Sequence, residues 1–516
     1  MLCAIFALGI LSVELLLPLN GDNWVYQTMG WDLFAYGKLP YLGSWDVNFP
    51  GIVYLHALAI ALLGRSALAF RIFDLVFDLA ASLLFYKLLT RWIRPAIALT
   101  ASIIYPLLYV SLAWWVAGQR DAFAVFFLLL GLELFFESME KPSLRLRDMR
   151  VVAGGFFIAF CAIIRPTFGL WPVSVAVAYL LTKHKLDRQL WGFLLGCILA
   201  LIALLLPYAF SANGLRDFYR FAIRFNLDVY SQYAQPASVF FIVPQITGLL
   251  AAVYSLAGII ALIAMRFRRS LLFPRELPRF VFLLYLMLIG SSLISLFIMR
   301  SFFLYQYLPL LLLLSPLMAY AVVSPGLLRR RALAIPLMAI LISFLVYRLY
   351  PRNFLHDYRL ALATGVPALD YMYNTIDNDS LTGYTAETQA VEYLKQADRD
   401  REPVEVICYN RPYLRVQARL AAATRFTQII PLTSPARGDT FTWYQQDWRK
   451  EFVERLRTIR PLFIIFVKLQ EGLLTLQPPA KLAGEIPGFS AVLDEQYRKD
   501  TVIRGFSFYK RIGNQH

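Results

Sequence analysis

Apolar runs of roughly 20 residues recur along the first two-thirds of the chain, with short polar stretches between them. A bilayer core about 30 Å thick takes about 20 apolar helical residues to cross. On that rule the pattern predicts about eleven spans, at residues 1–19, 66–89, 95–113, 122–137, 151–164, 167–182, 189–210, 239–264, 280–298, 302–322 and 332–350. Gly51 to Gly64 is apolar but short, and reads as an interfacial or re-entrant helix. After residue 350 the pattern changes. ETQAVEYLKQA has helical spacing, and so does Trp443 to Ile459. EVICY (405–409) and LFIIFVK (462–468) read as buried strands, and TVIRGFSFYKR at the end alternates like two edge strands. The fold class predicted is a polytopic α-helical membrane protein, residues 1–350, followed by a small α/β domain, residues 351–516.

Composition agrees with the pattern. The 516 residues are 59% hydrophobic, against about 45–50% in a soluble globular chain. A net charge of +16 invites a nucleic-acid reading, and its distribution argues against one. Residues 351–516 hold 22 Lys/Arg and 19 Asp/Glu, so most of the excess lies in the apolar part. There the bases cluster in alternate short loops: Arg91 and Arg94; Lys141, Arg145, Arg147 and Arg150; Lys183, Lys185 and Arg188; Arg266 to Arg279; Arg329 to Arg331. Cytoplasmic loops are enriched in Lys and Arg, so this set faces the cytoplasm. The loops at 20–50 and 211–238 and the C-terminal segment then face outward. Nothing basic precedes the first span, and Glu14 lies within it. Either the native start precedes residue 1 or neighbouring helices hold that span. The four cysteines form no CxxC or His/Cys cluster, so no structural zinc is expected. His56 and His184 read as ordinary interfacial residues.

The outward segments hold the candidate chemistry. In the stretch GDNWVYQTMGWDLFAYGKLPYLGSWDVNFPG (21–51), Asp22 stands where the first span leaves the lipid. A partly buried carboxylate there suits a general base; a solvated loop acid or helix N-cap is the plain alternative. Asp32 and Asp46 have the same two readings. Arg71, Asp74 and Asp78 share one helix face, serving either function at membrane depth or a structural ion pair. Arg120 and Asp121 open a span on the outward side, with Asp121 as an N-cap or as a second acid facing Asp22. Those two acids either share a divalent cation or divide base and orienting roles. Arg216, Arg220 and Arg224 form a basic stripe at i, i+4, i+8, for a bound phosphate or for anionic lipid headgroups. Arg300 is another phosphate candidate, followed by Tyr305 and Tyr307. Trp24, Trp31 and Trp45 either stack on a ligand or, the preferred reading, anchor at the interface. No P-loop, GxSxG or HExxH is present.

In order along the chain these segments resemble the GT-C membrane glycosyltransferases, especially the protein O-mannosyltransferase and lipid A aminoarabinose transferase group. Asp22-Asn23-Trp24-Val25-Tyr26 stands where that group has Asp-Glu-x-x-Tyr. Gly37-Lys38-Leu39-Pro40-Tyr41 is similar to its Gly-x-x-Pro-Tyr element, and Asn48-Phe49-Pro50 stands for Lys-Pro-Pro. Leu63-Gly64-Arg65-Ser66 through Ala69 and Arg71, Tyr307-Leu308-Pro309 and Thr424-Arg425-Phe426 continue the series. Asn23 departs from the family's second acid. Asn48 departs from its Lys, so the contact to donor phosphate must come from elsewhere, with Arg165, Arg224 and Arg300 as candidates.

The resemblance implies a sugar donor on a polyprenyl phosphate, whose tail stays in the bilayer while its sugar meets the acceptor at the outer surface. It implies inverting transfer to an acceptor hydroxyl of a glycan, lipid or protein, on the periplasmic side of a bacterial inner membrane, with Asp22 as general base and Asp121 beside it. Asn48, Arg71, Arg165, Arg220, Arg224, Arg300, Tyr305 and Tyr307 are the candidates for binding the donor and its phosphate, and Tyr26, Trp45 and Asp46 for contacting sugar or acceptor. No resident cofactor is implied. Two rival functions remain: a transporter or flippase of lipid-linked sugar, and a glycan polymerase or ligase using a diphosphate-linked donor. A transporter often carries inverted repeats and broken helices, and none is visible here.

Overall fold

A computed structural model describes residues 1–16, 19, 21–111, 116–140, 144–236, 278–323, 384–398, 400–409, 412–467 and 479–513. The longer helices are α1 Leu2–Leu11, α2 Gly21–Tyr36, α3 Gly51–Leu63, α4 Ala67–Leu89, α5 Pro95–Ser111, α6 Arg120–Glu140, α7 Leu144–Ile164, α8 Leu170–Lys183 and α9 Arg188–Ala209. They continue with α10 Arg279–Met299, α11 Leu308–Val323, α12 Tyr384–Ala397 and α13 Trp443–Ile459. Four strands follow the same order: β1 Val404–Ile407, β2 Phe463–Val467, β3 Tyr497–Ile503 and β4 Phe506–Arg511. The spans expected at 239–264 and 332–350 lie outside the described residues.

Among the described residues, α6, α9 and α10 are long and apolar enough to cross a membrane. The helix expected at 66–89 is present as α4, 23 residues long, and carries Arg71, Asp74, Asp78 and Lys87. Helices α1, α3 and α5 are apolar but shorter.

The chain forms two compact units. The first takes in the described residues of Met1–Leu17, Arg71–Leu204 and Ala234–Phe354; the second those of Pro18–Phe70, Leu205–Tyr233 and Leu355–His516.

The first unit is helical. Its helices approach through small residues, as expected where lipid supplies no hydrophobic drive between them. A Cβ on Gly155 of α7 would stand 2.1 Å from the Phe193 carbonyl oxygen, and one on Gly196 of α9 2.0 Å from the Val152 oxygen. Only glycine permits that crossing. Between α8 and α10 the contact is polar: the Trp171 indole N–H donates to Ser292 Oγ at 3.1 Å.

In the second unit the segment 20–50, expected as a loop, is half helix. α2 runs from Gly21 to Tyr36 with aromatic, acidic and amide residues mixed around it, so no apolar stripe announces it. It ends at Gly37, whose φ of 63° is left-handed. Gly37 N–H donates to the Leu33 carbonyl, the bond of an αL cap, and Lys38 N–H donates to the Asp32 carbonyl. Gly51 to Leu63 is a helix as expected. Segment 211–238 also folds locally, with a helix at Gly214–Phe218, a π-helical turn at Tyr219–Arg224 and a further turn at Phe225–Asp228.

The α/β fold lies in this second unit. Its sheet order is β1-β2-β4-β3, with β1 parallel to β2 and the remaining pairs antiparallel. Both predicted helices and the two buried strands appear where their spacing placed them. The terminal pair is a hairpin, but only β3 is at an edge; β4 sits between β2 and β3. The correction has a simple cause: Phe506 and Phe508 face the buried cluster of Val404, Val406, Phe463 and Ile465. α12 covers that face through Ala390, Val391 and Leu394.

Candidate active site

The second unit gathers the acids and aromatics of residues 21–51. Asp22 lies in the first turn of α2, half-buried. A carboxylate there is favoured by the positive end of the helix dipole. Tyr26 is one turn on and fully buried. Its hydroxyl accepts from Asn48 Nδ2 at 2.9 Å. The same amide donates to Asp46 Oδ2 at 2.7 Å, and the Asn48 backbone N–H adds a third contact at 3.2 Å to that oxygen. Tyr41 donates to the Asn48 carbonyl, and Asn226 Nδ2 to the Val47 carbonyl at 2.7 Å. Tyr26, Asp46 and Asn48, three predicted site residues, therefore form one network. Asn48 holds Asp46 with a neutral amide where the resemblance expects a cation.

Two readings of this region change. His56 is not interfacial: it is buried, with Nδ1 2.7 Å from Gln27 Oε1 and its ring stacked on Phe70 at 4.0 Å. Trp24 and Trp45 are not interface anchors either, since both are buried in protein. Trp24 stacks on Tyr413, and Trp45 stands edge-on to Phe225 at 5.3 Å. Aromatic residues at outward positions suggest a belt; only packing tells a belt from a core.

Asp32, read as a base candidate or loop acid, is a structural acid. Arg415 grips it with two hydrogen bonds of 2.6 Å, both side chains buried. Arg425 bridges Asp217 at 2.8 Å and Glu451 at 2.6 Å. Sequence reasoning missed both arginines as organisers, although Arg425 sits in the quoted Thr-Arg-Phe element. Asp32 and Asp217 are hundreds of residues away from them in the chain, and no local spacing signals the pairs. Nearby, Glu405 accepts from the Thr424 N–H at 3.0 Å and its hydroxyl at 2.8 Å. Burial pushes the Glu405 carboxyl up to about 7, and it lowers the Lys38 ammonium below its ordinary value.

The basic stripe is engaged within this unit. Arg224 pairs with Asp228 at 2.6 Å, Arg220 lies over the Trp443 ring at 4.5 Å, and Arg216 is 3.7 Å from Asp217. Arg216 and Arg224 remain about half exposed.

The first unit brings together Asp121, Arg165 and Tyr305. Asp121 and Arg165 pair at 3.0 Å, both buried. The Arg165 guanidinium lies 5.5 Å from the Tyr305 ring and 5.7 Å from Phe168. Arg120 stands 5.9 Å from the same tyrosine. Tyr307, two residues on in the 3₁₀ turn Leu304–Tyr307, is also buried. Arg300 caps α10 in a left-handed conformation and is exposed. Arg71 pairs with Asp74 at 3.3 Å, deep in the unit.

The helical bundle joined to an α/β fold can now be set beside known proteins. ArnT from Cupriavidus metallidurans, solved bound to undecaprenyl phosphate, superposes with a TM-score of 0.59 at 13% identity, over 99% of this chain and 98% of that one. The fold is that of the GT-C glycosyltransferases. AglB, the archaeal oligosaccharyltransferase from Archaeoglobus fulgidus, in complex with an inhibitory peptide and a dolichol-phosphate, matches at 14% identity with a TM-score of 0.50, over 99% of this chain and 74% of that one. The arabinofuranosyltransferase AftD from Mycobacteria matches at 13% identity with a TM-score of 0.51; all of this chain covers 40% of that GT-C protein. A family described as dolichyl-phosphate-mannose-protein mannosyltransferase matches residues 48–209. That GT-C segment includes Asn48, Arg71, Asp121 and Arg165, and begins after Asp22. No curated protein matches the chain.

Proposed function

We propose that this GT-C protein is an inverting glycosyltransferase that moves a sugar from a polyprenyl-phosphate donor to an acceptor hydroxyl, on the periplasmic side of a bacterial inner membrane. The observation that carries the reading is the fold shared with ArnT over nearly the full length of both chains, ArnT being a protein solved with undecaprenyl phosphate. The ordered series of GT-C-like elements from Asp22 to Pro309 supports it.

In this reading Asp22 takes the proton of the acceptor hydroxyl. The acceptor oxygen bonds to the anomeric carbon as the bond from that carbon to the phosphate oxygen breaks. Polyprenyl phosphate leaves as an anion, and attack from the opposite face inverts the centre. Cationic side chains stabilise the charge that develops on the leaving group. Arg165, packed between two aromatic rings, is the first candidate for this role, with Arg300 and Arg224 next. Asp121 orients Arg165 through their 3.0 Å pair. The Tyr26–Asn48–Asp46 network holds the sugar or the acceptor.

The test is transfer by the full-length chain in nanodiscs, supplied with synthetic polyprenyl-monophosphate and polyprenyl-diphosphate sugars. The expected result is use of the monophosphate donor and a fall of about 10²- to 10⁴-fold for Asp22→Asn, the size of a lost general base. Full activity in that variant removes Asp22 from the mechanism. Use of the diphosphate donor alone makes the chain a polymerase or ligase, and passage of lipid-linked sugar across vesicles without transfer makes it a transporter.

A further inference from the structure

The first unit holds a group of acids that the proposed reaction does not use. Glu14 sits in the 3₁₀ turn Ser12–Leu16 that follows α1 and is fully buried. Neither of its carboxylate oxygens meets a hydrogen-bond donor among the described residues. Asp74 and Asp78 come from α4, one turn apart, and are equally buried. One oxygen from each of the three acids lies within 4.8 Å of the other two.

Asp74 and Asp78 are only partly engaged. Asp74 accepts from Arg71 at 3.3 Å and from the Tyr109 hydroxyl at 3.2 Å. Tyr109 receives the Gly118 N–H at 2.9 Å, which commits its own proton to Asp74. Asp78 accepts from Tyr105 through Oδ1 at 3.2 Å, while its Oδ2 has no donor among the described residues. Three oxygens, two of Glu14 and one of Asp78, thus have no donor among the described residues.

The charges do not balance. The charged groups around Glu14 are Asp78, Asp74 and Arg71: three carboxylates against one guanidinium. Ionised, the group carries two uncompensated negative charges in an apolar helical unit, at a cost of several kcal/mol for each ion. One divalent cation cancels that excess. Carboxylate oxygens are the ligands that hard divalent cations such as calcium and magnesium take.

We propose that Glu14, Asp74 and Asp78 form a binding site for one divalent cation, with Arg71 offsetting the third carboxylate. The site ties the turn after α1 to α4.

The full-length protein in nanodiscs, washed with EDTA, is titrated with Tb³⁺ and separately with CaCl₂. Tyr105 and Tyr109 both donate to the proposed ligands, so Tb³⁺ bound there emits by energy transfer from tyrosine. The expected result is saturable emission at one ion per chain, displaced by Ca²⁺. Added Ca²⁺ should also raise the Tm by at least about 3 °C over the EDTA-washed protein. Asp78→Asn and Glu14→Gln should each lose the emission and the Tm shift. Failure of the unmodified protein to bind either ion, with no change of Tm, overturns the proposal and leaves protons as the neutralising charge. Unchanged binding in folded Asp78→Asn and Glu14→Gln overturns the assignment of ligands. Sugar transfer is not a readout, so a negative donor assay leaves this result standing.

Discussion

Two sets of buried acids, one in each unit, are treated in opposite ways. In the second unit, buried acids meet arginines from distant parts of the chain: Asp32 with Arg415, and Asp217 with Arg425. In the first, Glu14, Asp74 and Asp78 share a single guanidinium. The difference teaches where neutrality comes from. One unit has a sheet, loops and helices that bring arginines from far along the chain to Asp32 and Asp217. The other is built of apolar helices, and its acidic group needs charge from outside the polypeptide. Packing differs too. In the first unit α7 and α9 touch backbone to backbone at glycine, whereas the sheet of the second unit packs on aliphatic and aromatic side chains.

The strongest way to break the comparison is to make the second unit resemble the first. Arg415→Met should leave Asp32 buried and unpaired, at a cost of about 3–5 kcal/mol by thermal or denaturant unfolding. Asp32→Leu combined with Arg415→Met should recover most of the loss, because replacing both partners of a buried pair with apolar groups is often close to neutral.

A smaller effect, about 3 kcal/mol, is expected from pH. Glu405 has a folded pKa raised to about 7, from an ordinary value of 4.5. A raised acid pKa means that the folded state favours the protonated form. Its contribution is full below pH 4.5 and is lost as pH rises through about 7. Glu405→Gln should flatten this decline, read as Tm between pH 4.5 and pH 8. Glu387, raised to about 8 by burial, acts in the same direction, so the single variant should flatten the profile only in part.

In the first unit, Gly155→Ala should cost about 1–3 kcal/mol, as overpacking does, since its Cβ would meet the Phe193 carbonyl. An alanine at an exposed helical position of α13 should be neutral by the same Tm measurement. The smallest effect concerns one helix end in the second unit. Thr442 and Gln445 form a capping box at the start of α13, and Thr442→Ala should lower stability by about 1 kcal/mol.

Much of this fold was legible because it follows from local pattern. Apolar runs marked helices, and alternation marked the terminal hairpin. The short runs EVICY and LFIIFVK marked buried strands. Legibility failed where a residue's role depends on a distant partner. α2 was hidden because its aromatics and acids face several neighbours rather than one core. Asp32 was indistinguishable from Asp22 and Asp46 as a candidate base until Arg415 appeared beside it. β4 read as an edge because alternation does not report what lies on either side of a strand.

Read alone, the residues determined that the chain is an apolar, helix-rich protein ending in an α/β fold, and they ordered the elements that resemble GT-C enzymes. Hydrophobic length and period are local quantities, and each segment carries its own. Tertiary structure alone decided which acids are paired, which are crowded together and which aromatics are core. Those outcomes depend on electrostatic and packing contacts between residues far apart in the chain, as Asp32 and Arg415 are, and no window of sequence contains both partners.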